Sequence, residues 1–253
     1  MLKSNIFLLH KKKEYSQITQ LYIKNSHYTC NELLVFTDAF YKTGKIFDSF
    51  NIISSFLLKH FLNKDYFSSF INLTYRSKNF YEATISLRNC IRSGGLKSYI
   101  AYLALARFYN VINKHLLSNK YYSKALRIKR DNQVVFEYAK NFYEINQRDK
   151  GQLLLEESLS NDPQNGEYHR YKSMFCKFKN LDDSYLKKMI NIYQNFKGNN
   201  DKKSQLMFAI AKAYEDLGEY KNSANFYSEA NKLTKQNFNF DIYLIKKQFS
   251  NLK

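Results

Sequence analysis

The chain has 253 residues, 44% hydrophobic and 17% aromatic, with one proline, seven glycines and no tryptophan. That is enough apolar surface for a sizeable core and too few breakers for a strand-rich fold. The formal net charge of +18 predicts a salt-sensitive surface that adheres weakly to polyanions, but Lys, Asn, Ile, Tyr and Phe are abundant together as A+T-rich coding would make them, so the charge alone does not indicate a nucleic-acid partner. The longest apolar run, near Ile52 to Leu62, is interrupted by Ser54, Ser55, Lys59 and His60, so nothing reads as a membrane span. Ile6 to Leu9 is too short for a signal peptide, and Lys11, Lys12 and Lys13 follow it instead of preceding it. The expected location is the cytoplasm.

The chain opens with a half unit over about residues 1–26: Ile6 and Leu9 end a first helix, and Tyr15, Ile18 and Tyr22 lie on a second. Residues 30–62 carry Leu33, Phe36 and Phe40, a turn at Gly44, then Ile46, Ser49, Ile53 and Phe56, with Asn31 as the expected cap of the first helix. Residues 64–94 carry Phe67, Phe70, Ile71 and Thr74, a turn at Lys78 and Asn79, then Phe80, Ala83, Leu87 and Cys90, with Gly94 and Gly95 as a stop. In 98–130, Tyr102, Leu105, Ala106 and Tyr109 face Ser118, Tyr121, Tyr122 and Ala125. In 132–163, Val135, Tyr138, Ala139 and Phe142 precede Gly151, Leu155 and Ser158, and Asp162 and Pro163 close the unit. The unit at 165–198 is degenerate, with Tyr168, Tyr171 and Phe175 followed by Leu186, Ile190 and Tyr193, and a polar loop runs from Lys197 to Asp201.

The clearest unit is 204–236. Met207, Ile210, Ala211 and Tyr214 share one helical face, Gly218 reverses the chain, and Tyr220, Ser223, Tyr227 and Ala230 form the answering face. Small residues stand where two helix axes come close and large ones fill the space around them. A last helix is expected at 240–252 on Ile242, Ile245, Phe249 and Leu252. The large and small order over about 34 residues resembles the tetratricopeptide repeat (TPR) family, and the anchors Leu33, Phe67, Tyr102, Val135 and Met207 keep that register along the chain. The resemblance implies an all-α, right-handed superhelical solenoid occupying 1–253 as one domain, with the terminal helix capping it.

Catalysis has little to stand on. His10, His27, His60, His115 and His169 fall in different units and make no metal-ligand spacing, so they are expected at or near the surface. Cys30, Cys90 and Cys176 form no paired motif and read as small buried residues in a reducing compartment. Glu156 with Glu157 and Asp182 with Asp183 are adjacent on helices, where neighbouring side chains diverge, and read as helix-end charge. Arg92, Ser93, Gly94 and Gly95 are similar to the Arg-Ser-Gly of a sulfotransferase phosphosulfate loop, but Ala83, Leu87 and Cys90 before them keep the helical register, so no strand precedes the string. No cofactor, no metal and no enzymatic activity are expected.

A second resemblance covers about the last fifth of the chain. Ala211 to Asp216, Leu217, Gly218, Tyr220, Tyr227, Ala230 to Leu233, Asn239 to Asp241 and Phe249 resemble the last repeat and linker of bacterial proteins that join TPR repeats to a C-terminal sulfotransferase domain. It implies the repeat half of such an enzyme, truncated or acting alone, with no catalytic residue to carry over.

What remains is recognition. In the TPR fold the first helices line a concave side, and two rows of positions there do not pack inward. One row is Asp38, Asn72, Arg107, Lys140 and Lys212; the other, three residues on, is Tyr41, Tyr75, Asn110, Tyr143 and Glu215. Together they predict a peptide-binding groove with tyrosines along it and Arg107 and Lys140 for an acidic partner segment. An RNA-binding helical array would share the period and the basic charge, but here the charge is scattered over both helices of most units and the small and large order follows the TPR scheme. A protein or peptide partner is expected, with no specific nucleic acid and no membrane.

Overall fold

Fifteen α-helices, and no strand, run through residues 2–24, 26–93 and 98–236, the part of the chain that the computed structural model describes. They are α1 (Leu2–Lys11), α2 (Tyr15–Gln20), α3 (Cys30–Lys42), α4 (Ile46–Ser55), α5 (Leu57–His60), α6 (Lys64–Ser77), α7 (Phe80–Ser93), α8 (Tyr99–Val111) and α9 (His115–Ile128). They continue as α10 (Asn132–Glu144), α11 (Arg148–Asn161), α12 (Gly166–Phe175), α13 (Ser184–Gln194), α14 (Asn200–Asp216) and α15 (Tyr220–Gln236). The expected terminal helix at 240–252 and the Gly94–Gly95 stop lie outside the described residues.

The first helix of most pairs ends by one physical device. A residue just past the helix turns left-handed: Lys13, Gly44, Lys78, Asn113, Asn146 and Gly218 all have φ between 56° and 81°. The next amide then reaches back five residues, as in Lys45 N–H to the Phe40 carbonyl (2.9 Å), Lys114 to Tyr109 (2.8 Å) and Glu219 to Tyr214 (2.9 Å). This satisfies carbonyls that a helix end leaves orphaned and folds the chain back in three or four residues. Glycine suits the site at Gly44 and Gly218, where it costs nothing sterically, and asparagine tolerates it; Lys13 and Lys78 pay a modest strain.

The opposite end of several pairs is held by side chains. Asn63 Oδ1 caps α6 through the Tyr66 N–H (2.9 Å), Ser98 Oγ caps α8 through Ala101 (3.1 Å) and Asn199 Oδ1 caps α14 through Lys202 (2.9 Å). The cap of α3 is Thr29, not Asn31. The Glu32 N–H donates to Thr29 Oγ1 (3.3 Å) while the Thr29 N–H donates to Glu32 Oε2 (2.7 Å), a reciprocal box that places Asn31 inside the first turn. Two further boundaries shift. Helix α2 ends at Gln20, so Tyr22 lies past it and stacks on Tyr28 instead. Helix α14 starts at Asn200, which shortens the polar loop because Asn199 caps there.

The described chain falls into two compact units: residues 1–131 with 141–146, and residues 132–140 with 147–253; the division passes through α10. In the first unit, consecutive hairpins stack in chain order, α3 on α4, α4 on α6, α7 on α8 and α8 on α9. Leu33, Phe50, Ile53, Phe70, Leu87, Leu105 and Phe108 are almost fully buried at its centre, each worth about 2 kcal/mol of apolar burial. Inside two hairpins a serine of the second helix donates to a carbonyl of the first: Ser49 Oγ to Thr37 O (2.7 Å) and Ser118 Oγ to Ala106 O (2.8 Å). That bond forms only when the axes come close, which is why the position is small.

The second unit is centred on Leu186, Met189, Leu206, Ile210 and Ala213. Here α12 lies along α14, and a Cβ on Gly166 would collide with the Lys202 carbonyl oxygen and stand 2.5 Å from the Leu206 nitrogen. Helix α14 meets α15 across Ala211, Ser223 and Ala230, all buried as expected, whereas Tyr220 is 72% exposed: at the first position of α15 it points away from the hairpin.

Candidate peptide-binding surfaces

In the first unit α3 and α6 lie side by side, and residues spaced by three and four on each face a shallow groove of about 150 Å³. Its lining includes three expected residues, Asp38, Tyr41 and Asn72, together with Arg76, which sequence reasoning missed. The Arg76 guanidinium lies 4.7 Å from the Tyr41 ring centroid, a cation–π contact that orients the charge without neutralising it. Asp38 Oδ2 is 2.8 Å from His10 Nε2, a partly exposed pair worth little to stability. The signal for Arg76 was present, because it stands four residues after Asn72 on the same face.

The second row sits at the hairpin turns. The carbonyls of Tyr41, Asn110, Tyr143 and Glu215 accept the amide of the left-handed residue three positions on, at 3.0, 3.0, 3.0 and 3.1 Å. Tyr75 is 44% exposed, yet its ring packs edge-on against Phe80 (5.3 Å) and Phe108 (5.9 Å), so it serves the hairpin as well as the surface. Arg107 and Asn110 are half-buried on α8.

The second unit uses its expected residues internally. Lys140 Nζ lies 4.6 Å from the Phe136 centroid and 3.4 Å from Glu167 Oε1. Lys212 Nζ donates to the Cys176 carbonyl and to Asp216 Oδ2 (2.5 Å). Burial alone would raise the Asp216 carboxyl, but hydrogen bonds from Lys212, the Phe178 N–H and Lys177 hold it below the usual carboxylate range. Glu215 accepts from Tyr227 Oη (2.9 Å), and burial with that acceptor pushes the Tyr227 hydroxyl up to about 12. Lys212 and Glu215 therefore brace the helix ends. The more accessible pair there is Arg170 and Phe208: the guanidinium lies 4.5 Å from the ring centroid and donates to Gln205 Oε1 (2.7 Å).

Other candidates resolve into structural roles. His169 is not at the surface: it is fully buried, with Nε2 2.7 Å from the Pro163 carbonyl and Nδ1 2.9 Å from Tyr185 Oη. Burial pushes it down to about 4, so the ring is neutral, donating from Nε2 and accepting the tyrosine hydroxyl at Nδ1. Asp183 caps α13 through the amides of Tyr185 and Leu186 (2.8 and 3.1 Å). The three cysteines are free thiols; Cys90 is buried, which raises it to about 11, whereas Cys30 and Cys176 are only half-buried. Arg92 and Ser93 end α7. Among the described residues no three His, Cys, Asp or Glu side chains are grouped to hold a metal ion, and no helix is long and apolar enough to cross a membrane.

No protein-family model matches the chain, and no curated protein matches it. Among solved structures it is similar to a tetratricopeptide repeat protein from Parabacteroides merdae, with a TM-score of 0.54 at 11% identity, covering 97% of this chain and 95% of that one. It is also similar to MamA (TM-score 0.44, 12% identity, 84% of this chain and 98% of that one). A third similarity is to YrrB, described as a TPR protein with an unusual peptide-binding site (TM-score 0.48, 12% identity, 72% of this chain and 91% of that one). The first of these shows the fold: an all-α solenoid of TPR-type helical hairpins.

Proposed function

We propose that the protein is a non-catalytic TPR-type scaffold that holds an extended, acidic segment of a partner polypeptide against the exposed faces of its first helices. The observation that carries this reading is the α3–α6 groove, where Arg76 is laid on Tyr41 beside Asn72. Arg76 forms no ion pair among the described residues, and the one carboxylate of the groove, Asp38, is turned to His10, so the guanidinium charge is available. An aromatic face supplies area at low entropic cost, and an arginine held on it can take a carboxylate with two donors.

Three free thiols favour a reducing compartment and hence the cytoplasm. The likeness of Ala211 to Phe249 to the repeat-to-sulfotransferase junction supports a finer reading, in which this chain is the repeat region of a bacterial protein of that kind. Sequencing the gene beyond the Lys253 codon checks it: a strand followed by Arg-Ser-Gly-Thr supports the junction, and an immediate stop codon removes it.

The test of the groove is a fluorescence-anisotropy titration of the chain with glutamate-rich and lysine-rich extended peptides of equal length. The acidic peptide should bind more tightly, and Arg76→Glu should weaken it about tenfold, the effect of a central arginine worth about 1.4 kcal/mol. Lys140→Glu should matter less, because that lysine is already engaged by Phe136 and Glu167. Equal binding of both peptides, or an unchanged Arg76→Glu variant, overturns the reading.

A further inference from the structure

A larger cleft lies elsewhere in the first unit, between α4 and the segment that joins α2 to α3. Its volume is about 610 Å³, within the range of small-molecule sites, and none of the expected peptide-groove residues lines it. Tyr22, Phe40 and Phe56 supply its aromatic surface. The floor is preformed, since the Tyr22 ring is held 5.7 Å from Phe40 and 5.5 Å from Tyr28.

Around that floor stand Lys24 and Lys59, with Asp48 as the one carboxylate of the lining. Among the described residues neither lysine is ion-paired, and a third, Lys45, lies 5.8 Å from the Phe40 centroid. Basic groups left uncompensated over an aromatic floor favour a ligand that is flat at one end and anionic at the other. Rings stack on such side chains whatever their identity, a lysine ammonium binds phosphate as a point charge, and Asp48 can accept from a hydroxyl or amine.

We infer that this cleft is a binding site for a ring-bearing phosphate of mononucleotide size, its ring on the Tyr22–Phe40–Phe56 surface and its phosphate between Lys24 and Lys59. The site is separate from the peptide groove, so neither stands or falls with the other.

The test is a titration of the isotope-labelled full chain, followed by NMR, with AMP, phenyl phosphate, adenosine and inorganic phosphate. AMP or phenyl phosphate should bind saturably with Kd below about 1 mM, shifting signals of Tyr22, Phe40 and Phe56. Adenosine and inorganic phosphate, each lacking one half of the ligand, should be about tenfold weaker. Tighter binding of AMP than of phenyl phosphate assigns a nucleotide, and equal binding assigns an aryl phosphate of any source; both support the site. The double variant Lys24→Glu/Lys59→Glu should lose about tenfold in AMP affinity, and Ser55→Trp, which fills the cleft from its lining, should abolish binding. All three residues are exposed, so the variants should keep the parent's circular dichroism. The inference is overturned if no ring-bearing phosphate saturates the cleft, if inorganic phosphate or adenosine binds as well as AMP, or if the charge-reversed chain binds unchanged.

Discussion

The hairpin α8–α9 and the pair α12–α13 occupy the same place in the repeat pattern and are held by opposite means. In α8–α9 the axes approach across Ala101, Ala106, Ser118 and Ala125, all nearly fully buried, and Ser118 donates to the Ala106 carbonyl across the contact. A left-handed Asn113 closes the turn. The corresponding small position is Ser49, Ala83, Gly151 or Ser223 in the other hairpins, all buried. In α13 the same count from the helix start reaches Lys187, which is exposed, and the buried residue beside it is Leu186, too large for such an approach. No residue between α12 and α13 turns left-handed; a longer connection runs to Asp183, which caps α13. The two helices meet instead through the neutral His169, stacked on Tyr185 at 5.7 Å, and Gly166 gives α12 its close approach to α14. Small residues and a serine hydroxyl can thus be exchanged for a buried polar bridge and a single glycine, and the second solution is the more fragile.

The comparison can be broken first at Gly166. A valine there forces the backbones of α12 and α14 apart, and Gly166→Val should destabilise the fold by about 3 kcal/mol or more, read from urea denaturation. A loss below about 1 kcal/mol would mean that α12 does not depend on that approach.

Acid should act on the same pair. The unfolded chain accepts a proton at an ordinary histidine near 6.5, while folded His169 resists it down to about 4. The fold's contribution from this site is therefore complete above about pH 6.5 and drains away as pH falls toward 4, by up to about 3 kcal/mol. Unfolding midpoints between pH 7 and 4.5 should drop less steeply in His169→Gln than in the parent, and parallel curves would remove the histidine from the account.

The smallest effect sharpens the other side. Ser118→Ala and Ser49→Ala each remove one donor to a carbonyl already engaged within its helix, for about 1 kcal/mol. Their cost should not vary between pH 7 and 4.5; a pH-dependent loss would show that the serines belong to a wider titrating network.

Much of this was legible beforehand because repeat geometry is written in local patterns. The helical periodicity of Leu33, Phe36 and Phe40, the glycines at 44 and 218, and the serines at 49, 118 and 223 announce faces, turns and close approaches from residue type alone. The caps were partly legible: Thr29 followed by Glu32 is a capping-box signal, and Asn31, though nearer the first anchor, falls inside the first turn. The candidate groove was less so. Counting from the anchors reached Asp38, Tyr41 and Asn72 but passed over Arg76, and it could not tell that Lys212 was already bound to Asp216 or Glu215 to Tyr227.

The sequence by itself determined that the chain forms paired amphipathic helices at a period near that of TPR repeats, because spacing and side-chain size act along a single helix and its immediate partner. Tertiary structure alone decided where the buried polar groups find partners and which surface charges stay unpaired. His169 reaches Tyr185 and Pro163, Lys212 reaches a carbonyl 36 residues away, and Lys24 and Lys59 are brought to one cleft. The reason is physical: apolar burial depends on amount and periodicity, which a sequence displays, whereas a hydrogen bond or an ion pair depends on distances of a few ångströms between residues remote in the chain.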